Sequence, residues 1–365
     1  MVASNSISGR RAPPLYTQPV LNRLIARHER FVRREPRGVR AVVRYLQATD
    51  LDFSGRLLAE ADFTGANLRR ANLSEANFER ASLYCADLAG VMAAGADFLR
   101  ADLRGAALRH ADLSGAVLDE ADLREATLAR MDLPGGFRFV GRPAFGEAAP
   151  AASFANSSMK GARLNNASLR GADFSGALMQ GVKLKGASLA GASFEGAVLT
   201  GVDLTGLELD PAALVGCVID PSGEAHRRVA ELTARIEAAG RWVATNGDEG
   251  EPAVLDGEDL RPMLGLFAGR RLAAMSARNV CAIGVDFRGA QLQGANFDGA
   301  DLRDADFTEA DLRGASFRGA KLWHARFVQA DVRSLPLTTG QLRRVNLEGA
   351  AFGAACFTAS LMDAH

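Results

Sequence analysis

Hydrophobic residues recur every five positions over most of the chain. In ADFTGANLRRANLSEANF, residues 61–78, each unit has Leu or Phe at its centre, Ala two positions earlier and usually Asp, Asn or Ser just before the centre. The two positions after the centre are Arg, Glu, Ser, Thr or Gly. A period of five matches neither the helical repeat of about 3.6 residues nor the alternation of a strand. The pattern therefore predicts a repeat with two buried and three exposed positions.

Three series of these units follow one another along the chain. The first has 17 units with centres from Phe53 to Leu133, and the second has 14 units from Phe154 to Ile219. The third has 15 units from Phe287 to Phe357, and Leu342 is one of its centres. Residues 134–152 are rich in Gly and Pro and fit no five-residue frame. They predict a loop inserted into the repeat.

Phenylalanine centres also recur at intervals of twenty residues. The sets are Phe154, Phe174, Phe194; Phe287, Phe307, Phe327; and, ten residues out of step, Phe297 and Phe317. A spacing of twenty predicts coils of four units, in which each set stacks along one side. We interpret these rings as core columns rather than as a cofactor site, since the small Ala two positions earlier leaves room for them.

The stretches ADFTGANLRRANLSEANF and ADLRDADFTEADLRGASF resemble the A(D/N)LXX signature of the pentapeptide-repeat family. The resemblance implies an all-β solenoid, a right-handed quadrilateral β-helix with four pentapeptides per coil. It also implies that the centre and the residue two before it point inward. The family includes quinolone-resistance proteins that resemble duplex DNA and bind gyrase.

Two segments outside the repeat have helical spacing. Leu21, Ile25, Phe31 and Val32 recur, at an offset of 211, as Leu232, Ile236, Trp242 and Val243. Each segment is followed by a short apolar run, at residues 41–43 and 253–255. The repetition predicts two tandem solenoid units, each preceded by a short amphipathic α-helical cap and a lead-in strand.

The predicted organisation follows from these boundaries. It comprises a disordered N-terminus at 1–18, an Arg-rich helical cap at 19–48, a first solenoid at 49–220 with a loop insertion at 134–152, a helical cap or linker at 221–271 and a second solenoid at 272–365. The four separated cysteines form no CxxC pair, and no stretch of 18 uncharged apolar residues occurs. We therefore expect a cytoplasmic protein with no membrane span, in which the cysteines are small buried hydrophobic residues.

The distribution of chemically active residues predicts a protein that is not an enzyme. The five histidines are scattered, no Walker or GxGxxG motif precedes a helix, and no metal site or cofactor is expected. The recurring Asp before each centre is interpreted as a residue that bonds the backbone of its turn. His28 lies on the apolar side of its helix, and a packed histidine bonded to the first coil is expected there.

Two features are candidates for partner binding. Arg23, Arg27, Arg30 and Arg34 have the spacing of one helical face, which fits contact with nucleic acid, anionic lipid or an acidic protein. The alternative is a solvated face, or one that docks on the acidic rim of the first solenoid. The insertion offers Phe137, Arg138, Phe139, Arg142 and Phe145 for binding, and its alternative reading is a tolerated surface loop.

These features favour a non-enzymatic protein–protein interaction scaffold with an unidentified partner. The alternative is a DNA mimic that modulates a type II topoisomerase, of the gyrase-binding, quinolone-resistance type. Residues 51–133 carry 14 acidic and 9 basic residues, a sparse negative charge beside that of duplex DNA. A third interpretation is an effector or accessory protein that docks through its Arg-rich helix. An uncapped solenoid end is also a surface through which a homodimer is predicted to form.

Overall fold

The computed structural model describes residues 16–126, 128–133, 136–140, 151–207 and 209–362 of the chain, with the backbone alone described for 128–133, 136–140 and 211. The chain divides into two compact units, Met1–Ile219 and Asp220–His365. Each unit has its own hydrophobic core.

Consecutive coils of the first unit are joined by isolated parallel β-bridges rather than by long strands. Val42 pairs with Asp62 and Gln47 with Asn67, so that the partners lie one twenty-residue coil apart. The N–H of most centres donates to a carbonyl of the next coil, as from Phe53 to Asn72 at 2.7 Å. Four such pairings occur in each regular coil, which is the arrangement predicted from the phenylalanine spacing.

The turn between two successive five-residue repeats needs a residue with positive φ. This requirement explains which residues stand two positions after each centre. Gly55 adopts φ 63° and Glu60 adopts φ 63° two positions after their centres. Glycine has no steric penalty in this region, whereas other residues adopt it at a cost. The coil therefore tolerates Arg and Glu at these positions because the bridges on both sides determine the backbone conformation.

Phenylalanine rings form the predicted columns. The ring centroids of Phe154 and Phe174 lie 5.0 Å apart, and those of Phe287 and Phe307 lie 4.9 Å apart, both in stacked geometry. Phe297 and Phe317 stack at 5.3 Å. These distances confirm the interpretation of the rings as core columns, with Ala side chains buried beside them.

Two α-helices lie outside the coils. Helix α1 spans Gln18–Val32 and buries Leu21, Ile25 and His28. Helix α2 spans Gly223–Ala244 and buries Leu232, Ile236 and Ala239. The N-terminus of α2 is capped by Ser222, whose hydroxyl accepts a hydrogen bond from the N–H of Ala225 at 3.1 Å.

The bridges of both units begin within the apolar runs that follow the helices. The first bridge is at Val42 in the first unit, where the predicted solenoid begins at residue 49. In the second unit it is at Val254, where the predicted start is residue 272. The first coil of the second unit is longer than a regular coil of twenty residues, because Val254 pairs with Ser276. A 3-10 turn at Arg261–Met263 lies within this coil.

The excursion in the first unit begins earlier than the predicted residue 134. Strand β1, Leu128–Leu133, pairs antiparallel with β2, Gly136–Val140. The centres Leu128 and Leu133 therefore belong to a hairpin and not to the series of coils. The bridge from Asp122 leads to Arg163, and the coils continue from there.

Three further stretches differ from the predicted frame. Strands β3, Leu335–Pro336, and β4, Leu342–Arg343, form a small hairpin, so Ser316 pairs with Asn346 and not with a residue twenty positions away. Leu342 is accordingly 67% exposed instead of being a buried centre. Pro211–Leu214 form a 3-10 turn. At the N-terminus, residues 16–18 of the predicted disordered segment are ordered, since Gln18 begins α1, and residues 1–15 lie outside the described part.

Candidate functional site

The predicted arginine stripe is divided by the end of its helix. Arg23, Arg27 and Arg30 lie on α1, whereas Arg34 follows the helix in a turn with φ 56°. All four are exposed, and within the described residues their side chains form no ion pair or hydrogen bond. The expectation that they dock on acidic residues of the first coils is therefore not met by the described contacts.

Two of these arginines border a groove of about 480 Å³ between α1 and the first strand-like segment of the unit. The lining residues are Val20, Arg23, Leu24, Arg27, Val39, Arg40, Ala41, Val42 and Val43. The groove runs beside backbone, since the N–H of Val39 donates to the carbonyl of Arg27 at 3.0 Å. Arg30 and Arg34 do not line it. Sequence reasoning missed this groove, because it depends on contact between the helix and residues 39–43.

Side chains of α1 form hydrogen bonds with backbone groups of the first coil. In later coils, the corresponding groups bond the coil before them. The N–H of Asp52 donates to Oε1 of Gln18 at 2.8 Å, and Nε2 of Gln18 donates to the carbonyl of Asp52 at 2.7 Å. The N–H of Leu57 donates to Oε1 of Glu29 at 3.4 Å. These bonds supply partners for the exposed edge of the first coil.

His28 is part of the same contact. Its side chain is fully buried, its ring stacks on Phe31 with centroids 5.7 Å apart, and Nδ1 accepts a hydrogen bond from the N–H of Ala41 at 3.0 Å. Burial lowers the pKa of His28, outweighing the nearby carbonyls of Leu58 and Ala59, which raise it. The predicted packed histidine that bonds the first coil is confirmed.

The recurring aspartates bond the turns of the coils. Oδ1 of Asp52 accepts from the N–H of Ser54 at 2.9 Å, and Asp97 accepts from Leu99 at the same distance. These contacts confirm the structural interpretation of the Asp that precedes each centre.

Where an Arg follows two positions later, a bidentate ion pair is added. Asp102 accepts from Nε and Nη2 of Arg104 at 2.8 and 2.7 Å. Hydrogen bonds from Arg288 hold the pKa of Asp286 below its usual range. The carboxylates and guanidinium groups of these units are thus engaged with each other.

Cysteine chemistry is suppressed at two positions. Burial raises the pKa of Cys85 and of Cys281 to about 11, so both are thiols at neutral pH. Since the thiolate is the nucleophile, neither is activated. Cys85 is buried as predicted, whereas Cys217, Cys281 and Cys356 are partly exposed.

The candidate residues of the insertion are described only in part. Phe137, Arg138 and Phe139 lie in β2, where Phe139 pairs with Ala129 and Arg138 with Arg130. Arg142 and Phe145 lie outside the described residues. The binding role of this segment stays a prediction.

Across the described ranges, no group of three or more His, Cys, Asp or Glu side chains is placed to hold a metal ion. Within the same ranges no helix has both the length and the apolar character needed to cross a membrane.

A comparison with protein families identifies the repeat. The model described as pentapeptide repeats matches overlapping segments that together cover residues 49–135, 151–214 and 278–333, more than half of the chain. No curated protein sequence matches the chain significantly.

Three solved structures illustrate the likeness. HetL, a pentapeptide-repeat protein involved in heterocyst differentiation regulation from Nostoc sp. strain PCC 7120, is 20% identical, with 88% of this chain and 86% of that chain covered and a TM-score of 0.19. A trypsin-treated variant of QnrB1, a plasmid-mediated fluoroquinolone resistance protein, is 18% identical over 51% and 87% of the chains, with a TM-score of 0.27. A pentapeptide-repeat protein from the thylakoid lumen of Arabidopsis thaliana is 24% identical over 44% and 70%, with a TM-score of 0.16. The scores are low, so the family assignment relies on the repeat motif.

Proposed function

The chain belongs to the pentapeptide-repeat family, and we propose that it is a non-enzymatic scaffold that binds another protein. We further propose that its coils form right-handed quadrilateral β-helices in two tandem units, with α1 and α2 as their entry caps. The sequence-based order of domains is retained in this proposal, but the first coils begin at Val42 and Val254 instead of at residues 49 and 272.

The contrast between engaged and free charges supports this function. The Asp–Arg pairs of the repeat bond one another and their own turns, as at Asp102 with Arg104 and at Asp122 with Arg124. Arg23, Arg27 and Arg30, in contrast, are exposed on one helix and have no acidic partner among the described residues. Free charges on a rigid element are available to a partner without the loss of an existing bond. This contrast is the observation on which the proposal depends.

Charge reversal tests the proposal better than truncation does. Removing residues 1–50 would also remove Leu21 and Ile25, which are fully buried against the first coils. The triple variant Arg23→Glu/Arg27→Glu/Arg30→Glu keeps these contacts. Its matched control is Arg109→Glu/Arg170→Glu/Arg318→Glu, three exposed arginines of the repeat.

The measurement is quantitative capture of proteins from cell extract by immobilised full-length chain, followed by purification of the captured protein and direct titration. We expect a direct partner whose affinity falls at least tenfold in the triple variant and is unchanged in the control. A partner that binds the triple variant as well as wild type would contradict a role for the helix. Absence of any partner that binds directly would contradict the scaffold function.

The gyrase-directed DNA mimic is the alternative, and the ion pairs weaken it. Arg100 pairs with Glu120 and Arg70 with Asp50, so acidic side chains of the first unit are partly neutralised in place. A mimic of duplex DNA needs dense, unpaired negative charge. Inhibition of gyrase supercoiling by micromolar protein would nevertheless establish this alternative, and no effect would remove it.

The last described coil offers a surface for self-association. Leu347, Phe352 and Leu361 are 38%, 45% and 51% exposed there. The segment from 346 to 362 contains one charged residue, Glu348, so two copies would meet with little repulsion. We include homodimerisation through this end in the proposal. Sedimentation measurements at several concentrations test this proposal. We expect wild type to form a dimer and Phe352→Glu to be a monomer, and two monomeric proteins would contradict the proposal.

A further inference from the structure

The first side of the first coil has a free backbone edge. The carbonyl of Ala41 accepts from the N–H of Asp62 at 2.9 Å, and the N–H of Val43 donates to the carbonyl of Asp62 at 2.8 Å. In a parallel pairing of this kind, the N–H and C=O of the intervening residue point away from the partner. The N–H and C=O of Val42 therefore face away from the second coil, and neither has a hydrogen-bond partner among the described residues.

The other three sides of this coil have contacts from α1 or from Tyr16, which lies two residues before the helix. Gln18 bonds both backbone groups of Asp52. Glu29 accepts from the N–H of Leu57, and the N–H of Tyr16 donates to the carbonyl of Gln47 at 3.4 Å. The side at Val42 is thus the exception, and it is the side that lines the groove.

The second unit shows how a cap can close the same edge. Nη1 of Arg235 on α2 donates to the carbonyl of Val254 at 2.8 Å, and Arg235 also pairs with Glu231. At the offsets that relate the two caps, Val254 corresponds to Val42 and Arg235 corresponds to Leu24. Leucine cannot donate a hydrogen bond, so α1 leaves open a carbonyl that α2 occupies.

The groove beside this edge combines an apolar floor with positive charge. Val20, Val39 and Val42 are 39%, 47% and 56% exposed. Arg23 and Arg27 border the groove, and the α2 positions that correspond to them are Ala234 and Ala238. The positive border is therefore a property of the first unit and not a general requirement of the cap.

We propose that this groove binds an extended acidic segment of a partner protein. The segment adds one strand beside Val42, so that its backbone satisfies the free N–H and C=O. Alternate side chains of a strand point to opposite faces, which lets apolar residues contact the valine floor while carboxylates reach Arg23 and Arg27. The inference deepens the scaffold function and rests on it, because it names the chemistry of the partner.

Charge complementarity selects this occupant over the chain's own N-terminal segment. Residues 1–15 contain Arg10 and Arg11 and no acidic residue, so they would bring further positive charge to an arginine-bordered groove. An acidic segment neutralises that charge instead.

The test is a fluorescence-anisotropy titration of full-length protein with a labelled Glu-Val-Glu-Val-Glu peptide. Two altered peptides separate the contribution of charge from that of backbone pairing. Lys-Val-Lys-Val-Lys reverses the charge, whereas N-methylation of alternate amides removes strand pairing and retains the carboxylates. We expect saturable binding of the first peptide. At least tenfold weaker binding is expected for each altered peptide.

Protein variants test the location. Val20→Glu/Leu24→Arg reproduces the Glu231–Arg235 pair of α2 and should occupy the carbonyl of Val42, which lowers peptide affinity at least tenfold. The variant retains Leu21, Ile25 and His28, the buried residues of α1. Arg23→Glu/Arg27→Glu should have a similar effect. Arg30→Glu/Arg34→Glu, outside the groove, is the matched control and should bind as wild type does.

Several outcomes would overturn the proposal. These are absence of saturable binding, equal binding of the N-methylated peptide, equal loss in the control variant, or displacement by duplex DNA as effective as by unlabelled peptide, which would indicate a general polyanion surface. Failure of the peptide with retention of a directly binding partner that does not depend on Arg23 and Arg27 would reject the groove but not the scaffold function.

Discussion

The backbone N–H of Ala41 donates to Nδ1 of His28 at 3.0 Å, in a site where both residues are almost completely buried. A neutral imidazole can accept this bond at Nδ1, whereas a doubly protonated ring cannot. The contact therefore joins the buried face of α1 to the first residues of the coil and makes that connection sensitive to protonation.

The His28 contact predicts acid sensitivity. Because burial lowers its pKa in the folded protein, the unfolded chain takes up a proton first as pH falls below about 6.5. Folding stability due to this residue is present above that pH and is lost between it and the lower folded pKa, by at most about 1.4 kcal/mol per pH unit. Nearby Arg40 acts in the same direction and Glu29 opposes it.

Urea unfolding at pH 7.5 and 5.5 measures this effect. His28→Gln does not titrate and retains an oxygen that can accept from Ala41. We expect the pH dependence to be smaller in this variant than in wild type. Identical pH dependence in the two proteins would contradict the assignment.

The phenylalanine columns predict unequal costs of truncation. Phe307 is fully buried and stacks on Phe287 and Phe327 at 4.9 and 5.0 Å. Phe307→Ala should reduce the free energy of unfolding by about 3–5 kcal/mol, since it leaves a cavity within a stacked column. Phe352→Ala, at a ring that is 45% exposed, should cost much less. Chemical denaturation of both variants checks this difference, and equal losses would argue against the column as the main source of stability.

Burial distinguishes two otherwise similar ion pairs. Asp301 pairs with Arg303 and Asp286 with Arg288, but the arginine side chains are 3% and 61% exposed. Asp301→Ala should therefore destabilise the protein by about 3–5 kcal/mol, because it leaves a buried charge without its carboxylate. Asp286→Ala is the matched control and should cost less, since solvent screens Arg288. Denaturant midpoints provide the measurement, and the reverse order would contradict the prediction.

The hairpin of β3 and β4 predicts a deletion that preserves the coils. Removing residues 335–344 places Val345 directly after Ser334, which restores the five-residue frame before Asn346 and the twenty-residue spacing to Ser316. We expect a melting temperature close to that of wild type. Deleting only residues 335–342 leaves two extra residues in the turn and should be less stable. A deletion 335–344 that fails to fold would show that the packing of Leu335 and Arg343 near Gly314 is required.

Local spacing and tertiary pairing disagree at two leucine centres. Leu133 and Leu342 have the spacing of buried centres, but Leu133 lies in the β1–β2 hairpin and Leu342 is exposed in β4. A five-residue frame records only local spacing. Whether a unit joins a coil depends on a pairing with residues twenty or more positions away.

The arginine residues show the same limitation. Helical spacing placed Arg34 with Arg23, Arg27 and Arg30, yet α1 ends at Val32 and Arg34 adopts positive φ. The groove was also absent from the sequence reasoning, although the offset between the two caps contains a usable signal. Leu24 stands where the second cap has Arg235, and a comparison of those positions could have indicated an edge that only one cap closes.

The sequence by itself determined the repeat, the twenty-residue coil, its inward Phe columns and the structural role of His28 and of the recurring aspartates. These features repeat or depend on near neighbours, so the spacing of residue types is sufficient to specify them. Tertiary structure decided where each hairpin leaves the coils, which arginines share a surface and which edge stays open. Those outcomes depend on hydrogen bonds between distant segments, above all on whether a helix side chain reaches a particular carbonyl.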